Sequence, residues 1–374
     1  MEFPLAEVVW VALVFLLGVA VGSYLNVVVG RLPLEKSLLW PNSRCLSCLH
    51  PLALGDNLPV LGWLIRRGRC RYCGSRFSSR YMWVELATGL LFATLFYLEI
   101  MGNWHQMPFF KEWRSRLMQG QTPWQAWAFF FHHAILISLL LAAALCDLEH
   151  RAIPLSLTAT GTVIGLIASA FWAWPFPNDP GVLEAFRTKD GTFDPSWLIN
   201  GGGKELPRGL YPWPVWWPLP EWMFQHRWTV GLATGLAGAA AGMGIIRCVK
   251  FVFDKGLGKE TLGLGDGDLM MMAGAFIGWQ AVVVAFFVGA FLSLPVFVLM
   301  KLAKGRSEQP FGPGLASGVI VTWMWWPRLV PALQPFLFEP MVMLFAIVMF
   351  AGGAFVGTIV LRILGFGGVA EKSA

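Results

Sequence analysis

AWAFFFHHAILISLLLAAALCDLEHRAIP, residues 126–154, decides how the rest of the chain is read. Its first 21 residues, 126–146, are apolar enough and long enough for one helical passage through hydrocarbon, which takes about 20 residues. The run then stops on two acids, Asp147 and Glu149, followed by His150, Arg151 and Pro154. A carboxylate at the end of a membrane helix is costly, so it is a candidate functional group from the outset.

Working outward, similar apolar runs fall at about 8–29, 82–101, 155–174, 228–248, 281–300, 311–326 and 341–364. A shorter one, 269–279, would rise only about 16 Å as a helix, too little to cross straight. The fold class expected is an all-α polytopic membrane protein of about eight or nine transmembrane helices. Composition agrees, with 56% hydrophobic and 13% charged residues, where a soluble domain carries roughly 25% charged. The 20 Trp and 29 Phe suit side chains that belt a membrane interface. The bilayer is thus an expected partner, and no nucleic acid is. Ahead of the first run stand Glu2 and Glu7 without a Lys or Arg, unlike a secretory signal, so that run is expected to remain as a membrane helix.

Basic residues orient the chain. Segment 31–80 holds nine Lys or Arg. If it is cytoplasmic and 269–279 counts as a crossing, 19 of the 28 basic residues share its side and 9 lie opposite. That excess is the positive-inside pattern. The opposite side then receives segment 172–228, with eight Trp, nine Pro and Gly201-Gly202-Gly203. Proline at this density forbids a regular helix. It reads as an interfacial loop or as a surface for a substrate or partner.

Four of the six cysteines form two C-x-x-C pairs, Cys45 with Cys48 and Cys70 with Cys73. Two tight turns joined by a loop can bring four thiolates around a tetrahedral zinc. Arg44, Arg66, Arg67, Arg69, Arg71 and Arg76 surround them and favour thiolate over thiol. A redox dithiol uses the same spacing, but a cytoplasmic segment rarely keeps disulfides. His50 could replace one ligand or simply lie exposed. A closed four-cysteine site would be structural, not hydrolytic. Cys146 and Cys248 read as structural.

A second acidic pair lies in Gly263-Leu264-Gly265-Asp266-Gly267-Asp268. Two runs separate it from Asp147 and Glu149, so both pairs are expected on one face. Two carboxyls held close cannot both ionise easily, and such a pair can activate a water while protonating a carbonyl. Residues two apart on a helix do not face each other. Each pair is therefore expected to give one member, while pairing with Arg151 or Arg247 remains the plainer use of either acid.

Taken together, these motifs resemble the type IV prepilin peptidase family. The resemblance rests on Gly22-Ser23-Tyr24-Leu25-Asn26, Arg31-Leu32-Pro33, the cysteine module with Asp56-Asn57-Leu58-Pro59, Arg80-Tyr81 and Glu85, Asp147 with Ile153-Pro154, Gly263-x-Gly265-Asp266 with Gly278-Trp279, and Pro310-Phe311-Gly312-Pro313. It implies three regions. Residues 1–101 form an N-terminal domain whose cysteine module spans about 31–80. Residues 126–326 form the aspartic peptidase domain with the insertion 172–228. Residues 341–374 add a helix and tail. It implies Asp147 and Asp266 as catalytic, Glu149 and Asp268 as neighbours, and a structural zinc on Cys45, Cys48, Cys70 and Cys73. Asp268 stands where the family usually has Lys.

The resemblance further implies cleavage of basic leaders from type IV prepilins or pseudopilins at the cytoplasmic face of a bacterial inner membrane. Methylation of the new N-terminus from S-adenosylmethionine is implied as well, although no G-x-G-x-x-G fingerprint supports it independently. Asp56 and Glu85 are the carboxylates near the module that could shape such a site. The alternatives are a G-x-G-D protease that cuts transmembrane helices, which would not need the cysteines, and a membrane transporter or assembly subunit whose carboxylates carry protons. Oligomeric state and choice of precursor are not written in the sequence.

Overall fold

The computed structural model describes residues 5–105, 113–121, 124–172, 221–226, 228–258, 262–304, 310–337 and 340–363. Most of the Trp- and Pro-rich insertion, part of 102–125 and the tail after residue 363 lie outside the described residues. Helices follow in order: α1 Leu5–Arg31, α2 Leu61–Arg66, α3 Arg80–Phe96, α4 Trp113–Met118, α5 Trp124–His150, α6 Leu155–Trp172, α7 Glu221–Gln225, α8 Trp228–Leu257, α9 Leu264–Lys304, α10 Gly312–Leu337 and α11 Pro340–Ile363. No strand occurs among the described residues. Two isolated bridges, Arg44 with Pro51 and Arg69 with Arg76, sit in the cysteine module.

Among the described residues, the apolar runs of the sequence fall on these helices, with 82–101 continuing from α3 into a π-helical turn at Tyr97–Met101. Five are long and apolar enough to cross a bilayer by length and composition: Leu5–Leu34, Arg80–Met101, Ala126–His150, Trp228–Leu257 and Leu264–Pro295. Leu155–Phe171 and Leu344–Gly357 are shorter apolar helices. This is a multi-pass membrane protein. Its outward side chains are those of a lipid-facing surface, with Leu5, Leu16, Phe171, Phe291 and Met341 all exposed.

The chain forms two compact units, Met1–Leu157 and Thr158–Ala374. In the first, α1, α3 and α5 pack through aromatic rings. Trp10 lies 5.4 Å from Trp127, Phe96 stacks on Trp127 at 5.6 Å, and Phe92 meets Phe130 edge-on at 5.9 Å. Such offset and edge contacts contribute beyond the area they bury. Asn26 Nδ2 donates to Tyr81 O at 3.0 Å, tying the end of α1 to the start of α3.

In the second unit α8 runs against the first part of α9 at the closest approach a backbone allows. A methyl group added at Gly238 would meet Gly274 O at 2.0 Å, and one added at Gly274 would meet Gly238 O at 2.0 Å. Helices in lipid gain from such small-residue contacts because the solvent is as apolar as their side chains. The short run 269–279 is not separate: it continues into 281–300 as α9, interrupted where Gly278 adopts φ 80 and ψ 171. Only glycine adopts that conformation readily. The stretch before the interruption, 264–277, would rise about 21 Å as a helix, still short of the roughly 30 Å of hydrocarbon.

Candidate active site and metal centre

The cysteine module is built from two similar turns. In the first, Cys45 N donates to His50 O at 3.0 Å and Leu49 N to Cys45 O at 2.9 Å, with Leu49 left-handed at φ 59. In the second, Cys70 N donates to Ser75 O at 2.9 Å and Gly74 N to Cys70 O at 3.1 Å, with Gly74 at φ 70. Each turn therefore curls its two thiols toward one point. The four Sγ atoms lie within 4.8 Å of one another. Across the turns Cys45 Sγ is 3.7 Å from Cys73 Sγ, and Cys48 Sγ is 3.9 Å from Cys70 Sγ. A tetrahedral ion with metal–sulfur bonds of about 2.3 Å sets its sulfurs about 3.75 Å apart. The cluster thus fits a metal ion closely. His50 is not among the converging groups; its ring lies 3.6 Å from that of Tyr72.

Ser75 Oγ lies 3.3 Å from Cys45 Sγ and 3.2 Å from Cys73 Sγ. Its hydrogen bonding is the main reason the Cys45 thiol is drawn down to about 5 and the Cys73 thiol is also lowered. Thiolate is the form that binds metal.

Carboxylates hold the module to the helices beneath it. Asp56 pairs with Arg66 at 2.6 Å and Arg71 at 3.5 Å. Glu85, on α3, accepts a hydrogen bond from Val60 N at 2.6 Å, where the chain turns with Val60 at φ 60. Arg31, at the end of α1, donates to Ser37 O at 3.1 Å and Pro41 O at 2.6 Å. The two carboxylates weighed for methyl transfer are thus engaged in shaping the module.

Asp147 lies in the last turn of α5, and Arg151 N donates to Asp147 O at 2.9 Å as the chain leaves the helix through a left-handed Arg151. The Asp147 side chain is buried, at 8% exposure. Glu149 points elsewhere: it forms an ion pair with Arg80 and lies 3.9 Å from His150 Nε2. His150 Nε2 is also 3.1 Å from Val29 O, anchoring the end of α5 to α1.

Asp266 occupies the first turn of α9 and is 7% exposed. Lys250 Nζ donates to Leu262 O at 2.9 Å and pairs with Asp254 at 3.0 Å, fixing the segment just ahead of Gly263. Asp268 is partly exposed, with the positive charge of Arg247 acting on it. In both pairs, then, the first acid is buried and the second has an arginine. Asp147 belongs to the first unit and Asp266 to the second.

Two family models match this chain. That of the bacterial peptidase A24 N-terminal domain covers residues 16–98, and that of the type IV leader peptidase family covers 219–298. A prepilin leader peptidase/N-methyltransferase of Myxococcus xanthus is 31% identical over 338 residues, covering 88% of this chain and 76% of the relative. The chain belongs to the prepilin leader peptidase/N-methyltransferase family. A relative of the same name from Stutzerimonas stutzeri is 28% identical over 86% of this chain and 92% of its own length. Another, from Klebsiella pneumoniae, is 31% identical over 73% and 87% respectively. No solved structure matches.

One cluster escaped the sequence reading. Glu99, His105, His132 and His133 are all buried near the end of α3 remote from the cysteines. The usable signal was present, because an acid at the end of run 82–101 and two histidines inside run 126–146 are ionisable groups at membrane depth.

Proposed function

We propose that this chain removes basic leader peptides from type IV prepilin or pseudopilin precursors at the cytoplasmic face of a bacterial inner membrane, with Asp147 and Asp266 as the catalytic carboxyls. We also propose that it N-methylates the new N-terminus from S-adenosylmethionine and that the cysteine cluster holds structural zinc. The observation that carries the peptidase reading is the burial of both aspartates at helix ends, in a chain of this family. Of their acidic neighbours two residues on, Glu149 pairs with Arg80, and Asp268 is only partly buried with the charge of Arg247 acting on it.

Hydrolysis needs one carboxylate and one carboxylic acid. The carboxylate takes a proton from water as the water oxygen attacks the scissile carbonyl carbon, and the acid protonates the carbonyl oxygen. Collapse breaks the C–N bond as a proton passes to the leaving nitrogen. Helix ends supply an asymmetry for these roles. Negative charge is favoured at the first turn of a helix and not at the last. Asp266 thus suits the carboxylate and Asp147 the proton donor. Methyl transfer has no residue assigned to it, since Asp56 and Glu85 hold the module in shape.

The test is incubation of the purified protein with a prepilin and S-adenosylmethionine, reading products by mass. Loss of the leader and a methyl increment on the mature chain are expected. An uncleaved prepilin would overturn the peptidase reading, and a cleaved but never methylated product would remove the second activity alone.

A further inference from the structure

Two stretches of the cysteine module hold apolar side chains in the open while being tied to membrane-spanning helices. The first is the loop 37–41. Arg31, the last residue of α1, donates to Ser37 O at 3.1 Å and to Pro41 O at 2.6 Å, so both ends of the loop are held at the helix end. Leu39 N and Trp40 N each donate to Ser37 Oγ at 3.3 Å, which shapes the tip. The tip itself is bare: Leu39 is 86% exposed and Trp40 72%.

The second stretch is α2. Val60 N, just ahead of it, donates to Glu85 Oε2 at 2.6 Å. Glu85 lies within the span Arg80–Met101, whose 22 residues rise about 33 Å, close to the thickness of the hydrocarbon. Its place in that span is about 7.5 Å from the Arg80 end. α2 therefore starts at the border between hydrocarbon and headgroups. Leu58, Leu61, Leu64 and Ile65 are all exposed there. Clustered exposed apolar side chains of this kind mark a surface that is covered in use. Tyr81 and Trp83, also exposed near the start of α3, are the side chains of an interfacial belt.

Charge says what covers it. Residues 32–79 hold seven Lys or Arg against two acids, Glu35 and Asp56. Asp56 is already engaged by Arg66 and Arg71. Lys36 and Arg44 flank the loop, and Arg67 and Arg69 follow α2, all four exposed. Apolar tips framed by cations match a bilayer interface with anionic headgroups. The same charge repels a basic leader peptide, so such a peptide is not the occupant. We propose that the cysteine module docks on the bilayer itself, with Leu39, Trp40 and the apolar side chains of α2 in the headgroup layer and the flanking cations on anionic phospholipid. This docking does not rest on the peptidase reading. It fixes the metal-binding turns at the membrane surface, independently of what the aspartates do.

The experiment is photo-crosslinking of the full-length protein in nanodiscs made from equal amounts of phosphatidylcholine and phosphatidylglycerol. A benzophenone side chain is placed at position 40, at position 65 or, as a lipid-facing reference on α1, at position 16, and adducts are read by mass. Phospholipid adducts are expected at all three positions. At positions 40 and 65 phosphatidylglycerol should be captured at least about threefold over phosphatidylcholine, as cations beside an anionic surface require. Lys36→Glu combined with Arg44→Glu should abolish that enrichment at position 40, with thiolate-bound metal retained as the sign that the module is folded. Adducts at position 16 but none at 40 and 65 would overturn the proposal. So would cross-links from 40 and 65 to a second copy of the chain in place of lipid, equal capture of the two lipids, or enrichment that survives the double charge reversal.

Discussion

The acidic pairs at the end of α5 and the start of α9 share a pattern and differ in setting. In each, a buried aspartate is followed two residues on by an acid associated with arginine, Glu149 with Arg80 and Asp268 with Arg247. But Asp147 closes a helix, where carbonyls lack partners, and Asp266 opens one, where amides do. The same residue type is thus placed against opposite ends of the backbone dipole. Spacing alone shows two alike motifs; helix boundaries show which end each occupies.

The largest effects are expected at the first member of each pair. Asp147→Asn and Asp266→Asn should each reduce leader cleavage by roughly 10³-fold or more, since each removes a proton-transfer group. The proteins should still insert and still load metal on the cysteines. Full cleavage by either variant, measured on a purified prepilin, would break the comparison.

Next come the supports beneath α9. Gly274→Val places a side chain against the backbone at Gly238, where a methyl already meets an oxygen at 2.0 Å, so the folded yield in detergent should fall severely. Gly244→Ala has nothing within 4 Å of the added methyl and should leave yield and melting temperature close to those of the parent. Equal behaviour of the two would mean that the α8–α9 approach does not hold Asp266 in place.

A third test separates the cysteine module from both pairs. Cys45→Ser combined with Cys48→Ser should abolish the thiolate-bound metal and expose residues 40–76 to protease, while the helices remain. Glu85→Gln keeps the cysteines but weakens the charge-assisted hydrogen bond from Val60 N, at a cost of about 1–3 kcal/mol. Limited proteolysis should therefore rank the double cysteine variant as most labile, Glu85→Gln next and the parent last.

Much of this architecture was legible in the sequence because hydrocarbon and a four-thiolate metal cluster both impose strict requirements. Long apolar runs have to become helices, since only helices satisfy their own backbone in lipid, and C-x-x-C spacing presets a pair of ligands. What escaped depends on irregular backbone. The merger of 269–279 with 281–300 turns on one glycine at φ 80. The meeting of Glu99 with His105 and His133 turns on a π-helical turn and a left-handed Asn103, which break the periodicity that places residues on a face. Likewise, the engagement of Asp56 and Glu85 with the module shows only when Val60, Arg66 and Arg71 are folded around them.

The smallest effect sharpens the comparison most. Glu149→Gln removes a charge two residues from Asp147 and leaves the length of the side chain unchanged. Its ion pair with Arg80 is partly open to solvent, at 28% and 32% exposure, and such pairs contribute about 0–1 kcal/mol. Stability should hardly change. Cleavage should stay within about tenfold of the parent, because Glu149 points at Arg80 and not along the buried face of Asp147. Asp268→Asn tests the corresponding position on α9, where Arg247 acts on the acid. If the second acids only set local charge, the double variant should show the product of the two single effects, as independent sites do. A loss as deep as that of Asp147→Asn, from either second acid alone, would mean that the catalytic member of that pair had been chosen wrongly.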